Sequence, residues 1–310
     1  MSYKIGVDGG GTKTECMLVD AAGQMVAGHV GLGCNPSVVG TAAAASILTA
    51  ALDSLRAQAL QHLAGNSQGL PVQEGSLISQ TLLCMAGSRG FWDEFAVGLT
   101  GFGRVTAVDD SRPILELATA GHPGLALHAG TGSFVAARAP DGTIHYAGGL
   151  GWRFGDPGSG YDLGVRAVAR ALLELQGWAP ASRLGPAVRQ HAELGGTADA
   201  SAVTSYFYQH ADATRHVAAF TPVVLRLAAE GDGAAREIVL ASTGALLDLA
   251  VGVATKLFTA PLLKDIPAGL SGPILNHPLV VAALAARSPM PLVPITDAPI
   301  EGVRQLLSRG

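Results

Sequence analysis

Apolar and polar positions along the 310-residue chain alternate between two patterns. Short apolar runs bounded by glycine, asparagine and aspartate predict strands, and longer runs rich in alanine and leucine predict helices. The opening predicts three strands in a meander and then a long helix, a polar surface loop, a strand, a short helix and a strand. The three strands are expected at 3–8, 13–20 and 24–29, the long helix at 41–63 and the loop at 64–75. The strand that follows is expected at 79–85, the short helix at 91–99 and the last strand at 104–108.

The pattern then begins again at Leu125, where an apolar strand, a glycine turn and a second strand repeat the opening. Gly10 matches Gly130 at a nearly constant offset, and His128 takes the place of Asp8. An internal repeat predicts two similar domains, although 41 glycines make some chance matches inevitable. We expect domains at 1–109 and 110–297, with a terminal helix at 298–310 returning to the first.

The rest of the second part is predicted to be mostly helical, with two glycine-rich segments. Residues 148–160 predict an extended loop, and residues 268–273 predict a last glycine-rich turn. The remaining elements are helices at about 161–175, 182–194, 199–209, 214–230, 233–258 and 279–287, and a strand at 292–294.

Composition narrows the class of protein. A hydrophobic content of 48% and a charged content of 14% are typical of a folded globular protein. The net charge of −4, without a basic cluster, argues against nucleic acid or an anionic membrane as a partner. The start lacks an apolar export signal, and the apolar stretch 244–253 carries Asp248, as a core helix would. Three scattered cysteines without metal-ligand spacing fit a reducing cytoplasm.

The first glycine turn carries the most specific chemistry. Converging backbone amides in such a turn bind phosphate, and Gly10, Gly11 and Thr12 would supply them, with Lys13 as a nearby charge. Asp8, at the end of the strand, can hold Mg²⁺. The residues therefore predict a metal-bound polyphosphate. The alternative is a hairpin turn that merely needs small residues, and the motif is neither a Walker A loop nor GxGxxG opening a helix.

Several segments in order resemble a known family over essentially the whole chain. Residues 8–12, 129–133 and 269–273 resemble the two phosphate motifs and the adenosine motif of the sugar kinase/Hsp70/actin superfamily. Residues 33–36, Asp110, 148–160 and 297–302 are similar to the N-acetylglucosamine kinase and glucosamine kinase group of the BadF/BadG/BcrA/BcrD ATPase family. The resemblance implies an α/β fold of two RNase H-like, actin-like ATPase domains, each a mixed sheet flanked by helices, with a nucleotide cleft between them.

The same resemblance implies ATP- and Mg²⁺-dependent phosphorylation of an amino sugar, at its 6-hydroxyl. Asp110 would be the general base, with Asp109 as the competing candidate. The residues expected to bind the nucleotide are Gly10, Gly11, Thr12, Lys13, Gly130, Thr131, Gly132, Ser133 and Gly272, and Asp8 would bind the metal. The residues expected to bind the sugar are Asn35, Asp110, Gly149 and Asp156.

Each of these roles has a structural alternative. Asn35 precedes a proline and would serve equally as a turn residue, and Asp156 would serve as a helix cap. Trp152 would either stack on a sugar or fill the core. The stretch 155–160 has Pro157 where the family has glutamate, which leaves the sugar's amino or acetamido group unassigned. Arg112 would either reach the transferred phosphate or face solvent.

Two other functions share the fold. One is the ATPase that activates a 2-hydroxyacyl-CoA dehydratase, which needs cysteines spaced to hold an iron–sulfur cluster, and Cys16, Cys34 and Cys84 lack that spacing. The other is a sugar-sensing regulator, which needs a DNA-binding segment before the first strand. We therefore expect a cytoplasmic amino-sugar kinase, with a homodimer as the default assembly.

Overall fold

A computed structural model describes residues 2–66, 77–210 and 212–309. The chain forms two compact units. The first unit comprises Met1–Leu117 and Asp297–Gly310, and the second comprises Ala118–Thr296. The division falls after Leu117, later than the boundary expected at 109/110, because the helix that follows Asp110 packs mainly with the first unit. Most of the surface loop expected at 64–75 lies outside the described residues.

The first unit is built on a five-stranded mixed sheet with strand order β3-β2-β1-β4-β5. Strands β1, β2 and β3 form an antiparallel meander, and β4 and β5 add in parallel beside β1. Their bounds are β1 (Tyr3–Gly9), β2 (Lys13–Val19), β3 (Met25–Leu32), β4 (Ile78–Met85) and β5 (Arg104–Asp109). The helices of this unit are α1 (Pro36–Val39), α2 (Thr41–Asn66), α3 (Arg89–Gly98), α4 (Ser111–Thr119) and α12 (Pro299–Arg309).

The second unit repeats this topology strand for strand, in the order β8-β7-β6-β9-β10. Again three strands form an antiparallel meander, and two more add in parallel. The strands are β6 (Gly124–Ala129), β7 (Ser133–Arg138), β8 (Ile144–Gly148), β9 (Ala268–Ser271) and β10 (Leu292–Pro294). The helices are α5 (Gly160–Leu175), α6 (Leu184–His191), α7 (Ala200–Gln209), α8 (Ala213–Ala218), α9 (Thr221–Ala229), α10 (Gly233–Leu257) and α11 (Pro278–Ala285).

Both faces of the first sheet are covered, as the apolar character of its strands requires. One face packs on α2 and α3 through residues such as Ile5, Val7 and Trp92. The other face receives α12, whose Val303 and Leu307 pack against buried strand residues. The terminal helix therefore returns to the first sheet, as the sequence predicts for its amphipathic pattern.

The core of the second unit centres on α10, the longest helix there. Its Val239, Leu246 and Leu247 are fully or almost fully buried and lie in one cluster with strands β6 and β7. This helix is long and apolar enough to cross a membrane by length and composition alone. Its buried face packs on the sheet, which confirms the prediction of a core helix.

Several elements differ from the sequence-based predictions. Residues 268–271 form β9, a fully buried strand between β6 and β10, and the predicted turn is confined to Gly272 and Pro273. Because β9 has only four residues, including a glycine, its sequence alone resembles a turn. The predicted helix over 214–230 is two helices, α8 and α9, because Pro222 begins a new helix. Helix α4 was not predicted.

Candidate active site

The first glycine turn joins β1 to β2 and is closed by a backbone hydrogen bond. The amide of Gly10 donates to the carbonyl of Lys13 at 2.9 Å, and Gly9 and Thr14 form the last strand pair before the turn. Gly11 and Thr12 are exposed at its tip. The ammonium of Lys13 lies 2.6 Å from the carboxylate of Glu15, and both side chains are partly exposed. The turn thus leaves Gly11 and Thr12 accessible to a ligand.

Asp8 precedes this turn and is half-buried at the end of β1. Burial raises the pKa of its carboxyl to about 6, while the ammonium of Lys13 lowers the pKa and the carboxylate of Glu15 raises it. The charge of Lys13 offsets only part of the cost of burying the ionised carboxylate of Asp8. A bound cation would favour the ionised form and lower the pKa again.

Asp109 and Asp110 follow each other at the end of β5 but have different surroundings. Oδ1 of Asp109 accepts a hydrogen bond from the amide of Ser111 at 2.9 Å, at the start of α4. Burial, followed by the charges of Asp109 and Asp8, raises the pKa of Asp110 to about 7. A carboxyl with a pKa near neutrality is suited to proton transfer at physiological pH.

The three acidic residues converge because β1, β4 and β5 run parallel and end at the same edge of the sheet. Cys84, on strand β4 between β1 and β5, pairs in register with Asp8 on one side and with Val108 on the other. Its thiol is fully buried, and burial together with the carboxylates of Asp8, Asp110 and Asp109 raises its pKa. The first unit thus brings Asp8 and Asp110 together, as the sequence-based assignment requires.

Asn35 lies in the loop between β3 and α2. Its Oδ1 accepts the amide of Ser37 at 2.9 Å and caps the short helix α1. It packs against Gly87, which follows β4 and has φ of +94°, and a Cβ at Gly87 would lie within 3.0 Å of Pro36 Cδ. Capping therefore accounts for the carbonyl oxygen of Asn35, whereas no hydrogen bond is described for its amide nitrogen.

The second glycine turn joins β6 to β7. The amide of Gly130 donates to the carbonyl of Gly132 at 2.9 Å, and the carbonyl of Gly130 accepts the amide of Gly160 at 2.8 Å. Thr131 is exposed at the tip. The hydroxyl of Ser133 is buried and donates to the carbonyl of Pro157 at 2.7 Å. Ser133 therefore ties the turn to the glycine-rich loop.

That glycine-rich loop, residues 148–160, is held against the second turn by Asp156. Oδ1 of Asp156 accepts the amide of Gly151 at 3.1 Å, and Oδ2 lies 3.1 Å from the position of a Cβ on Gly132. The N-cap of α5 is Ser159, whose hydroxyl accepts the amide of Asp162, so the helix-cap alternative for Asp156 is wrong. Burial raises the pKa of Asp156, although backbone amides oppose that shift.

Two further loop residues flank Asp156. Gly149 has φ of +63°, and the ring of Tyr146 packs directly on it, so a side chain there would be strained and would collide with that ring. Trp152 is 48% exposed and contacts Tyr161 edge to face at 5.5 Å between centroids. The guanidinium of Arg153 lies over the Trp152 ring. The indole is therefore not a core residue.

Gly272 directly follows β9, with φ of +92°. Its Cα packs against the backbone of Ala129, the last residue of β6, so that a Cβ would collide with the carbonyl oxygen. The adenosine motif and the second glycine turn are therefore in direct contact. Sequence reasoning gave His128 no role, yet the structure places it between these two segments. His128 has the same position in β6 as Asp8 has in β1, and this equivalence is the sequence signal that points to a role for His128.

Residues 5–263 match the BadF/BadG/BcrA/BcrD ATPase family. The chain belongs to this family. The family predicted from the sequence is therefore confirmed, and so is the α/β fold with two mixed sheets flanked by helices.

Two relatives share enough sequence to inform function. An N-acetylmuramic acid/N-acetylglucosamine kinase from Clostridium acetobutylicum is 26% identical over 245 residues, which cover 77% of this chain and 74% of the relative. A solved structure from Chromobacterium violaceum, provisionally named as an N-acetylglucosamine kinase, is 26% identical with a TM-score of 0.75 and covers 99% of each chain. A glucokinase from Streptomyces griseus, at 15% identity, covers 100% of each chain with a TM-score of 0.53 and shares the fold.

Proposed function

We propose that the protein is an ATP-dependent sugar kinase that transfers the γ-phosphoryl group to the 6-hydroxyl of an amino sugar, N-acetylglucosamine or glucosamine. The observation that carries the proposal is the convergence of Asp8 and Asp110 at the edge of the first sheet, next to a turn with exposed glycine amides. The names of the two 26%-identical relatives support the choice of an amino sugar.

Asp110 is the proposed general base. It would orient the sugar hydroxyl and accept its proton as the phosphoryl group leaves ATP, a role that mainly positions the nucleophile. Its raised pKa supports this role, since a base near neutrality both releases and takes up a proton readily. Asp109 suits the role less, because one of its oxygens already accepts the amide of Ser111.

Asp8 is the proposed residue for Mg²⁺. Magnesium in kinases keeps several waters and needs only one or two carboxylates besides the nucleotide phosphates. The half-buried carboxylate of Asp8, at the foot of the phosphate turn, fits such a site. A bound Mg²⁺ would neutralise phosphate charge. Gly11 and Thr12 of the first turn and Thr131 and Gly132 of the second would donate amides to the phosphates. The amides of Gly10 and Gly130 close the turns, and these two glycines would instead let a phosphate approach the backbone closely.

Asn35, Gly149 and Asp156 are the proposed sugar ligands besides Asp110. The groups that we propose as ligands are the amide nitrogen of Asn35, the backbone carbonyl of Gly149, whose amide already donates to Ser133, and a carboxylate oxygen of Asp156. Oxygen acceptors and amide donors on loops are typical of sites that bind hydroxyl groups.

The cysteines distinguish the proposal from the dehydratase-activator alternative. Cys16, Cys34 and Cys84 are all buried within the first unit, and burial raises the pKa of each thiol. A cluster ligand must be an accessible thiolate. These thiols are packed as small apolar groups, so this alternative is not favoured.

The test is a coupled ADP assay of the purified protein with Mg²⁺-ATP over N-acetylglucosamine, glucosamine, N-acetylmuramic acid, glucose and mannose. We expect an amino sugar to stimulate ADP formation, and carbon-13 NMR of the product to show phosphorus coupling at C6. Equal ADP formation with and without every sugar would overturn the proposal. Phosphorylation of C1 or C3 would overturn only the assignment of the acceptor. Cytoplasmic localisation and a homodimer remain predictions.

A further inference from the structure

His128 occupies, in the second sheet, the position that Asp8 occupies in the first. Each residue stands one place before the last antiparallel pair of its strand, and each also pairs with the adjacent parallel strand, Asp8 with Cys84 of β4 and His128 with Ser271 of β9. Since side chains alternate along a strand, equal register places the two side chains on equivalent faces. The repeat therefore offers a neutral imidazole at a place where its other copy offers a carboxylate.

The imidazole of His128 is fixed on two sides. Nδ1 lies 3.2 Å from the hydroxyl of Ser271. The ring stacks on Phe134 with centroids 5.0 Å apart and an interplanar angle of 23°, and Phe134 stacks in turn on Tyr146 at 5.2 Å. Nε2, on the remaining side, lies 3.2 Å from the position of a Cβ on Gly130. The second ring nitrogen is thus held at the first residue of the glycine turn.

The protonation state follows from this environment. Burial lowers the pKa of His128 to about 4, so the ring is neutral at physiological pH and carries one N–H. Which nitrogen carries it depends on the partner of the other. When the hydroxyl of Ser271 donates to Nδ1, the proton resides on Nε2, the nitrogen at the turn. A neutral N–H attracts an anion without a metal, whereas a carboxylate there would repel it.

We propose that Nε2–H of His128 donates directly to an oxygen of the nucleotide phosphate bound at residues 130–132, and that Ser271 fixes the tautomer that makes this possible. The inference rests on the proposed use of ATP and adds a ligand to it. It makes the second turn a phosphate site that works without a metal ion, in contrast to the first turn with Asp8.

The experiment measures ADP binding by calorimetry, in Mg²⁺ and in EDTA, for the parent, His128→Asn, His128→Gln and Asp8→Asn. Asparagine keeps an amide near Nδ1 but places no donor at Nε2, whereas glutamine reaches the Nε2 position. We expect His128→Asn to weaken ADP roughly ten- to hundredfold in both buffers, as for a lost hydrogen bond to a charged group, and His128→Gln to recover most of the affinity. Asp8→Asn should weaken ADP in Mg²⁺ only.

The control is His145→Asn, the same change at an exposed histidine of the same sheet, and it should bind ADP like the parent. Parent-like ADP affinity of His128→Asn, or a loss seen only with Mg²⁺, would overturn the inference. If His128→Asn fails to fold by circular dichroism, Ser271→Ala decides, with an expected three- to tenfold loss in EDTA and no change as the contrary result. The outcomes are separable from the proposed function, since a parent that binds ADP but phosphorylates no sugar contradicts that proposal alone.

Discussion

The two glycine turns have the same topology but opposite electrostatics. Burial shifts the flanking residue of each toward its uncharged form, raising the pKa of Asp8 to about 6 and lowering the pKa of His128 to about 4. With a pKa of about 6 the carboxyl of Asp8 is mostly ionised at pH 7, and a bound cation would lower that pKa further. For His128 the uncharged form is a hydrogen-bond donor. We therefore propose that the same backbone serves a metal-assisted phosphate site in the first turn and a phosphate site without a metal in the second.

The residues that surround the two turns also differ. Near the first turn, Asp109 and Asp110 lie at the end of β5, which β4 separates from β1, whereas the second turn is enclosed by Phe134 and the glycine-rich loop. Clustered carboxylates raise one another's pKa and demand a counter-ion. An enclosed apolar turn instead favours a directional hydrogen bond. The two sheets thus share a geometry, and the different residues beside each turn give the two turns different chemistry.

Among the substitutions that test this comparison, the largest effect on activity is expected from a change at Asp110. Asp110→Asn removes the proposed base from the acidic side and should lower kcat by about 10²- to 10⁴-fold, with little change in ADP affinity. Asp109→Asn keeps an oxygen for the amide of Ser111 and should stay within severalfold of the parent. The measurement is the coupled ADP assay at saturating sugar. If Asp109→Asn loses activity and Asp110→Asn does not, the base is Asp109.

Removal of the acid from the first turn should have the next largest effect. Asp8→Asn replaces the carboxylate at the foot of the first turn by a neutral amide, and we expect the Mg²⁺ concentration at half-maximal rate to rise roughly ten- to hundredfold. A magnesium titration at fixed ATP measures it, with Asp53→Asn, an exposed acid of the same unit, as the matched control. An unchanged titration would mean that Asp8 does not serve the metal.

Sequence reasoning reached the fold and the first turn because their signals are local. The repeat of apolar strand, glycine turn and strand is visible in Gly10 and Gly130, and it predicts two similar sheets, as observed. The terminal helix was found from its amphipathic pattern. The short strand β9 resembles a turn in sequence, because its pairing with β6 depends on residues more than a hundred positions away.

The parts of the candidate site that sequence reasoning missed depend on contacts between distant segments. The proximity of His128 to Ser271 spans 143 positions and follows only from the parallel pairing of β6 and β9. The distinction between Asp109 and Asp110 needs the start of α4, which the sequence did not predict. Ser133 looks like a phosphate ligand in sequence, but its hydroxyl donates to Pro157.

The acid limb of the pH–rate profile tests the raised pKa values directly. Asp110 must be ionised to accept a proton, so with a pKa of about 7 in the free protein kcat/KM should fall about tenfold per pH unit below 7. Protonation of Asp8 below about pH 6 should steepen the limb at low Mg²⁺. Saturating Mg²⁺ should abolish the steepening. A profile flat from pH 7.5 to 5.5 would contradict the assigned base.

Ionisation of Asp110, which the proposed catalysis requires, should lower the stability of the folded protein. Because the folded pKa of Asp110 is raised, the folded protein binds this proton more tightly than the unfolded chain, and stability is lost as pH rises from about 4 through 7. Asp110→Asn should therefore raise the free energy of unfolding at pH 8 by on the order of 2 kcal/mol, and by much less at pH 5. Urea melts at both pH values measure it. An equal gain in the free energy of unfolding at pH 5 and pH 8 would show that the gain does not come from removing a buried charge.

The smallest effect concerns Lys13, the charged residue that only the first turn has. Its ammonium pairs with Glu15 at 2.6 Å on a partly exposed surface, an arrangement that contributes at most about 1 kcal/mol to stability. If this pair is its main role, Lys13→Met should change the KM for ATP no more than about threefold, because Lys13 acts on the nucleotide only through Asp8. Loss of its charge should also move the acid limb slightly upward, since Lys13 lowers the pKa of Asp8. A rise in KM beyond about tenfold, rescued by Lys13→Arg, would instead make Lys13 a phosphate ligand and give the first turn a cation of its own.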